Sequence, residues 1–468
     1  MSKYIKSKYL QYIECTQDIF FVYHSLFNRH KIVNKYSIAF LSLFDEPFDI
    51  SELSNLPESF HALFDEMKYC YFIIKTDEKE RDLLKAKFNL SQYKDLSKLP
   101  LETLGLTVTK ECNFACKYCM SNHLLDLSKN FGSNSNMRFD IAKKSIDFYV
   151  DILKKKNQKK LSIYFNGGEP LLRFNFIKKV INYCTEHYSN KFEIKYSIST
   201  NGSLLTDEIA RFFKVNNVDI ITMSLDGPKS TNDLIRLYRS GKSAYNDIIK
   251  AIKTIQKHSN RKKGIYTTLC NENFFLLNEQ FLDLCKDELS LKNIHIEPDL
   301  VNLLDINPEE ICNKIFNLYN YGKSINIIIS CSLFRPFQNI FNDMLKMERI
   351  GWCAAATGHS IDILPSGQVS RCCYSTKNFG NFSQIAHIIN STEWEKFIID
   401  HSYGNIKRCK GCEIEGACLG GCFLTEESDA FNDKDQLLYH RCELFKYMTK
   451  KLIIDWVHKR FQTRNKDC

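Results

Sequence analysis

The chain has 468 residues, 44% of them apolar, and carries 64 Lys and Arg against 55 Asp and Glu for a formal charge of +9. This describes a globular protein long enough for two or three domains. No run of about 18 uninterrupted apolar residues occurs, so no membrane span is expected. The opening stretch MSKYIKSKYLQYIECTQDIF lacks the apolar core and small-residue cleavage site of a signal peptide, so the expected location is the cytoplasm. The positive charge lies in short lysine runs such as residues 154–160, which read as solvated helix ends and loops. No basic module or aromatic-rich basic stripe stands out, so no nucleic-acid partner is expected.

In chain order, the first block contains β-like runs around Tyr12–Cys15 and Ile19–Tyr23, then a helical stretch Asn34–Leu43. A turn at Glu46-Pro47, a second helix ending near Met67 and an apolar strand Tyr69–Ile74 follow. Strands, helices and a final strand suit a small winged helix, whose exposed strand edge accepts a peptide by backbone pairing; a plain capping subdomain is the alternative. The polar connector at residues 91–100 marks a boundary.

From Leu101 to Pro298 the pattern becomes strand–helix alternation. Strands are expected at Leu104–Val108, Leu161–Phe165, Ile194–Ser199, Ile220–Leu225, Gly264–Leu269 and Ile294–Ile296. In one intervening helix Ala142, Ile146, Tyr149, Val150 and Leu153 share a face, with Asp140 as its expected N-cap. In another, Tyr245, Ile248, Ile249, Ile252 and Ile255 do. Repeated βα units imply a parallel sheet covered by helices, with ligands at the C-terminal ends of the strands.

The informative loops fall at those ends. After Leu104–Val108 come Cys112, Cys116 and Cys119, spaced C-x3-C-x2-C. Three such thiolates hold three irons of a 4Fe–4S cube and leave the fourth open; structural zinc, the competing reading, takes four ligands. The next loop reads Asn166-Gly167-Gly168-Glu169-Pro170, where glycines allow close backbone approach and the carboxylate suits an ammonium group. Ser199-Thr200-Asn201-Gly202 and Ser224-Leu225-Asp226-Gly227-Pro228 end two further strands, and Arg236 follows as a partner for a carboxylate.

With these residues the chain resembles a radical S-adenosylmethionine (SAM) enzyme over Leu101–Pro298. The resemblance implies that Cys112, Cys116 and Cys119 hold a 4Fe–4S cluster whose open iron binds SAM. It implies that Gly167, Gly168 and Glu169 engage the amino end of SAM. Ser224 and Arg236 match the carboxylate and ribose contacts, with Asn201 near by, and Tyr118 and Ile296 or its neighbours lie by the adenine. The implied chemistry is reductive cleavage of SAM to a 5′-deoxyadenosyl radical, which an enclosed barrel protects from solvent.

In the C-terminal third, Cys353, Gly367 and Cys372 are followed by Cys409, Cys412, Cys418, Cys422 and finally Cys442. Bare spacing also allows zinc. The pattern resembles the SPASM domain of radical SAM enzymes that act on peptides and proteins. That implies two auxiliary 4Fe–4S clusters, one on Cys409, Cys412, Cys418 and Cys442 and one on Cys353, Cys372 and Cys422. Where some relatives carry a further cysteine this chain has Met347; Cys331 is a candidate substitute, and Cys373 is disfavoured because neighbours in an extended segment point opposite ways. An open iron there would suit binding of a substrate thiolate. Cys15, Cys70, Cys184, Cys270, Cys285, Cys312 and Cys468 show no ligand spacing and are expected mostly as core residues, and His295 as a packed or hydrogen-bonded one.

The expected fold class is α/β: a partial (β/α)6, TIM-like radical SAM barrel over 101–300. It is preceded by a winged-helix-like leader-peptide domain over 1–95 and followed by a bridging region (301–350), a cysteine-rich SPASM domain (351–445) and a C-terminal helix (446–468). The resemblance implies a maturase of a ribosomally made precursor peptide that forms a thioether or carbon–carbon crosslink. Its cofactors are SAM and three 4Fe–4S clusters; its partners are the leader-bearing precursor and a flavodoxin- or ferredoxin-type reductant. The alternatives are an anaerobic sulfatase maturase, against which Cys373 counts because those relatives carry Asp there, and a non-catalytic iron–sulfur or zinc scaffold. Cys373 is the candidate catalytic residue, as a proton or radical acceptor.

Overall fold

The computed structural model describes residues 3–89, 99–120, 135–258, 264–342, 351–427 and 434–464. Met347 and Cys468 lie outside them. At the N-terminus, β1 (Lys3–Lys6) precedes an antiparallel meander of β2 (Leu10–Thr16), β3 (Ile19–His24) and β4 (His30–Asn34). Asn34 then caps the helix Lys35–Ser42, its Oδ1 accepting from Ser37 N at 3.0 Å. β5 (Phe48–Asp49) and β6 (Ile73–Lys75) flank β1 in a second sheet. Phe40, Phe44, Phe64, Met67 and Phe72 fill the core beneath. The strand expected from Tyr69 starts only at Ile73, because the helix Glu58–Tyr69 runs on and ends where Tyr71 turns left-handed at φ 61°. A helix Glu80–Asn89 completes the block.

The central arc is built from parallel strands β7 (Thr103–Thr109), β8 (Lys160–Gly167), β9 (Glu193–Thr200), β10 (Val218–Met223), β11 (Gly264–Leu269), β12 (Asn293–Pro298) and β13 (Ile328–Ser330). A bridge from Ser224 to Tyr266 joins β10 to β11. The six expected strands are all present. β13 and, on the far side of β7, β14 (Ser360–Ile363) with its antiparallel partner β15 (Val369–Ser370) are additional. β14 comes from the cysteine-rich region, so that region and the barrel share one sheet.

Alternation sorts the side chains into two environments. Leu104, Leu106, Val108, Leu161, Ile163, Phe165 and Ile198 pack with Ala142, Ile146, Tyr149, Val150 and Leu153 of the helix Phe139–Lys155 in one core. Each such aliphatic burial stabilises by roughly 1.5–3 kcal/mol. Asp140 is not the cap: Arg138 holds that position, and Asp140 lies in the first turn with Oδ1 accepting from Arg138 Nε at 2.9 Å. The opposite positions, among them Thr107, Tyr164, Asn166 and Ser199, are polar and face the interior of the arc. At the C-terminus the helix Lys434–Arg464 packs on Pro308–Ser324 and on β2. Among the described residues no helix is long and apolar enough to cross a membrane.

Candidate active site and cysteine sets

The loop after β7 is held by backbone pairing to the segment after the helix Lys229–Ile235. Ala115 N donates to Leu237 O at 2.9 Å, Lys117 N to Ile235 O at 3.2 Å and Arg239 N to Asn113 O at 2.9 Å. This presents Cys112, Cys116 and Cys119 together at the strand end. Burial pushes the Cys116 thiol up to about 11, with Arg236 opposing and the charges of Cys119 and Cys112 adding to the rise. Burial likewise raises Cys112, against a donor from Phe114 N at 3.4 Å.

Glu169 is fully buried and turned into the protein. Its Oε1 accepts from Leu171 N and Thr200 Oγ1, both at 2.8 Å, and its Oε2 from Asn201 N at 2.7 Å. Burial raises its pKa to about 7 despite those donors. It thereby ties the β8 loop to the β9 loop and sets Asn201, whose Nδ2 donates to Asn113 Oδ1 at 2.9 Å and lies 3.8 Å from Cys112 Sγ. A Cβ on Gly167 would meet Thr109 O at 2.1 Å, and one on Gly168 would meet Glu111 O at 2.3 Å. These glycines therefore let the loop close on the cysteine loop's own backbone.

Arg236 already holds a carboxylate. Its Nε donates to Asp226 Oδ2 at 3.0 Å, and Tyr118 OH, which Arg236 Nη2 also contacts, donates to the same oxygen at 2.8 Å. Asp226 Oδ1 accepts from Thr268 N at 2.9 Å. Asp226, which the sequence reading placed only in the polar segment that ends a strand, is thus the centre that fixes Tyr118 beside Cys119. Ser224 sits half-buried at the end of β10. Ile296 is fully buried with Ile294, so its side chain faces the core. The opposite face carries His295, hydrogen-bonded to Glu297 at 2.9 Å.

The C-terminal cysteines separate into two sets. The charges of Cys409, Cys412, Cys418 and Cys442 bear on one another. Those of Cys353, Cys372 and Cys422 do the same, and these three pack with Met120, Phe379, Phe397 and Phe423. Cys331 is buried beside Glu297 and Cys312 instead. The chain turns at Cys372–Tyr374 rather than running extended, so the Cys373 thiol lies against that of Cys372. That contact and burial push the Cys373 thiol up, and Asp362 adds to the rise.

Asp362 is the main residue the sequence reading missed. It lies on β14 opposite Gly105 of β7, where a Cβ on Gly105 would fall 2.0 Å from Asp362 Oδ1. Asn166 Nδ2 donates to that oxygen at 2.7 Å, and Thr107 Oγ1 donates to Asn166 Oδ1 at 2.8 Å. Burial pushes the carboxyl up to about 7. Tyr164, bonded to Ser199 Oγ at 2.7 Å, feels the charges of both Cys373 and Asp362. Tyr374 feels those of Cys373, Tyr164, Cys119 and Cys372, which places it between the first cysteine loop and the second set, and 39% of its surface is open.

The donor chemistry fits iron–sulfur clusters: three groups of clustered sulfur ligands. A cube binds each thiolate to a different iron, so its ligands need not converge on one point. Among the described residues no three His, Cys, Asp or Glu side chains do.

Comparison with known proteins agrees with this geometry. Residues 106–278 match the Radical SAM superfamily, and residues 353–413 match the SPASM iron–sulfur cluster-binding domain. Over 475 residues the chain is 27% identical to the radical SAM cyclopropyl synthase TigE of Paramaledivibacter caminithermalis, covering 96% of this chain and 95% of that protein. It is 26% identical over 382 residues to a cysteine-type anaerobic sulfatase-maturating enzyme of Clostridium novyi, covering 75% of this chain and 95% of that one. In fold it resembles native anSMEcpe with bound AdoMet and Cp18Cys peptide, with a TM-score of 0.60 at 20% identity over 76% of this chain and 98% of that structure. The chain thus carries a Radical SAM domain followed by a SPASM domain and is a radical SAM/SPASM enzyme of the maturase type.

Proposed function

We propose that this enzyme matures a ribosomally made peptide by closing a carbon–carbon bond. The observation that carries the reading is the succession Cys119, Tyr374, Cys373 and Asp362, each acting on the next, which connects a protonatable carboxylate to the radical-generating loop. When bound, SAM and the iron–sulfur clusters, three by our reading, supply a 5′-deoxyadenosyl radical that removes a hydrogen atom and a sink for the electron released at bond closure. A proton is left over, and Asp362 takes it on Oδ2 while Asn166 holds Oδ1 in place. Tyr164 and Tyr374 border this region.

The carbon–carbon outcome is favoured because similarity to a cyclopropyl synthase runs over 96% of the chain, whereas similarity to the sulfatase-maturating enzyme covers 75%. A thioether is the second reading, favoured by the three-cysteine set Cys353, Cys372 and Cys422, whose remaining iron would be open to a substrate thiolate. We assign residues 1–95 to holding the leader, which would add to the edge strand β4 by backbone pairing. A flavodoxin- or ferredoxin-type protein would supply the reducing electron.

The test is anaerobic reconstitution with SAM and dithionite, using short peptides encoded beside the gene. Loss of two hydrogens from a peptide, with its cysteines still open to alkylation, supports carbon–carbon closure. The same mass loss with a cysteine blocked supports a thioether. No 5′-deoxyadenosine from fully iron-loaded protein overturns the reading.

A further inference from the structure

Two arginines stand immediately before cysteines of the C-terminal sets: Arg371 before Cys372 and Arg441 before Cys442. They are 0% and 2% exposed. Arg371 donates from Nη1 to Ala355 O at 3.0 Å and from Nη2 to Trp394 O at 2.8 Å, with its Cζ 3.6 Å from the Trp394 ring centre and 4.3 Å from that of Phe397. Arg441 donates from Nη1 to Cys422 O at 2.7 Å and from Nη2 to Gly420 O at 3.0 Å, and Nη1 also contacts Thr425. The Nε of each has no hydrogen-bond partner among the described residues.

The third buried arginine among the described residues is neutralised: Arg236 pairs with Asp226 at 3.0 Å. Neither Arg371 nor Arg441 makes such a pair among the described residues. Glu427 acts on Arg371 from a distance, but its carboxylate is engaged by Ser375 Oγ at 2.6 Å. A guanidinium does not shed its proton in a protein. A buried charge is costly unless an opposite charge meets it, and main-chain carbonyls and ring faces meet it only in part. Besides the distant Glu427, the anionic groups that act with these arginines are cysteine sulfurs: Cys353 acts on Arg371, and Arg441 acts on Cys418 and Cys422.

We propose that Arg371 and Arg441 are the counter-charges of the auxiliary iron–sulfur sites. Arg371 serves the set Cys353, Cys372 and Cys422, and Arg441 stands between that set and Cys418. Net charge and hydrogen bonding set the potential of such clusters. A buried cation stabilises the reduced, more negative form, so both arginines raise the auxiliary potentials and make those sites electron acceptors. This inference rests on the cysteine sets holding clusters.

The experiment uses full-length protein with Cys112, Cys116 and Cys119 replaced by Ala, so that only auxiliary signals remain, reconstituted anaerobically. Iron and sulfide are counted, and the clusters are titrated potentiometrically with EPR detection. Arg371→Gln and Arg441→Gln should retain iron and shift an auxiliary midpoint to lower potential, and Arg371→Lys should restore most of it. An unchanged midpoint in iron-loaded Gln variants overturns the proposal. Should a Gln variant fail to load, its iron-free form decides. Apo Arg371→Gln melting no lower than apo parent supports a cation awaiting its anion, and an equal loss of stability in the apo and loaded Lys variants overturns it. A parent that binds no iron defeats the cluster reading itself.

Discussion

Arg81 Nη2 donates to Glu415 Oε2 at 2.6 Å, joining the N-terminal block to the loop that carries Cys409, Cys412 and Cys418. The same Glu415 oxygen accepts from Gly411 N at 2.9 Å, between Cys409 and Cys412. Close by, Gly416 N donates to Ser25 O at 2.7 Å, and a Cβ on Gly416 would meet Leu26 O at 2.7 Å. One carboxylate therefore shapes the cysteine loop and anchors the domain to which we assign leader binding.

Arg81→Ala should accordingly destabilise the protein by about 3 kcal/mol, because it leaves the Glu415 carboxylate buried without its partner. Denaturant unfolding of the iron-free chain measures this. The double variant Arg81→Ala, Glu415→Gln should recover part of the loss, since the buried charge is then gone.

Asp362 makes a pH-dependent prediction. Its folded pKa is raised to about 7, so between about pH 4 and that value the folded chain binds a proton that the unfolded chain has released. The contribution is full below the unfolded pKa and is lost as pH rises through the folded one. Asp362→Asn removes this loss, so its stability relative to parent should climb by up to roughly 1.4 kcal/mol per pH unit across that window. Thermal melting at stepped pH reports it. In turnover the same variant should still make 5′-deoxyadenosine while peptide product falls by about 10²-fold or more. Equal loss of both would mean that Asp362 does not act after hydrogen abstraction.

The ease of finding these groups followed the distance between partners along the chain. Cys112, Cys116 and Cys119 fall within one loop, so spacing alone exposed them. Asp362 depends on a parallel pairing of β14 with β7, between segments far apart in sequence. Its local clue was the alternation Ile361-Asp362-Ile363, a strand with one polar position on the opposite face, overshadowed by the neighbouring cysteines. Arg371 and Arg441 gave no spacing signal, because Trp394 and Phe397, which bury Arg371, come from a helix the motif does not include. In the N-terminal block the run Tyr69–Ile74 was apolar enough for a strand, but the turn at Tyr71 divides it between a helix end and β6.

Tyr118, Asp226 and Arg236 form a buried unit whose members should fail together. Asp226→Asn leaves the Arg236 guanidinium unneutralised next to Cys116, and a loss of about 3–5 kcal/mol is expected. Arg236→Lys keeps the charge but not the fork that spans Asp226 and Tyr118, so it should cost less in stability. Both should weaken SAM binding, because Tyr118 sits directly before Cys119 and loses its anchor. Calorimetric SAM titration of reconstituted protein separates the two effects.

Replacing Cys112, Cys116 and Cys119 together by Ala tests whether the three cysteine sets are independent. The loop's shape rests mainly on backbone bonds to residues 235–239, with Cys112 Sγ also accepting hydrogen bonds, so the variant should fold and keep its N-terminal and C-terminal regions. In the other two sets each cysteine is influenced chiefly by members of its own set, and Arg441 acts on both. Iron should therefore fall from about twelve to about eight per chain, as loss of one cube from three requires. Production of 5′-deoxyadenosine should stop altogether while the auxiliary EPR signals persist. Loss of all iron would instead mean that the auxiliary sets need the first cluster in order to form; Met120, which packs on the same apolar cluster as Cys353, Cys372 and Cys422, is one link between them.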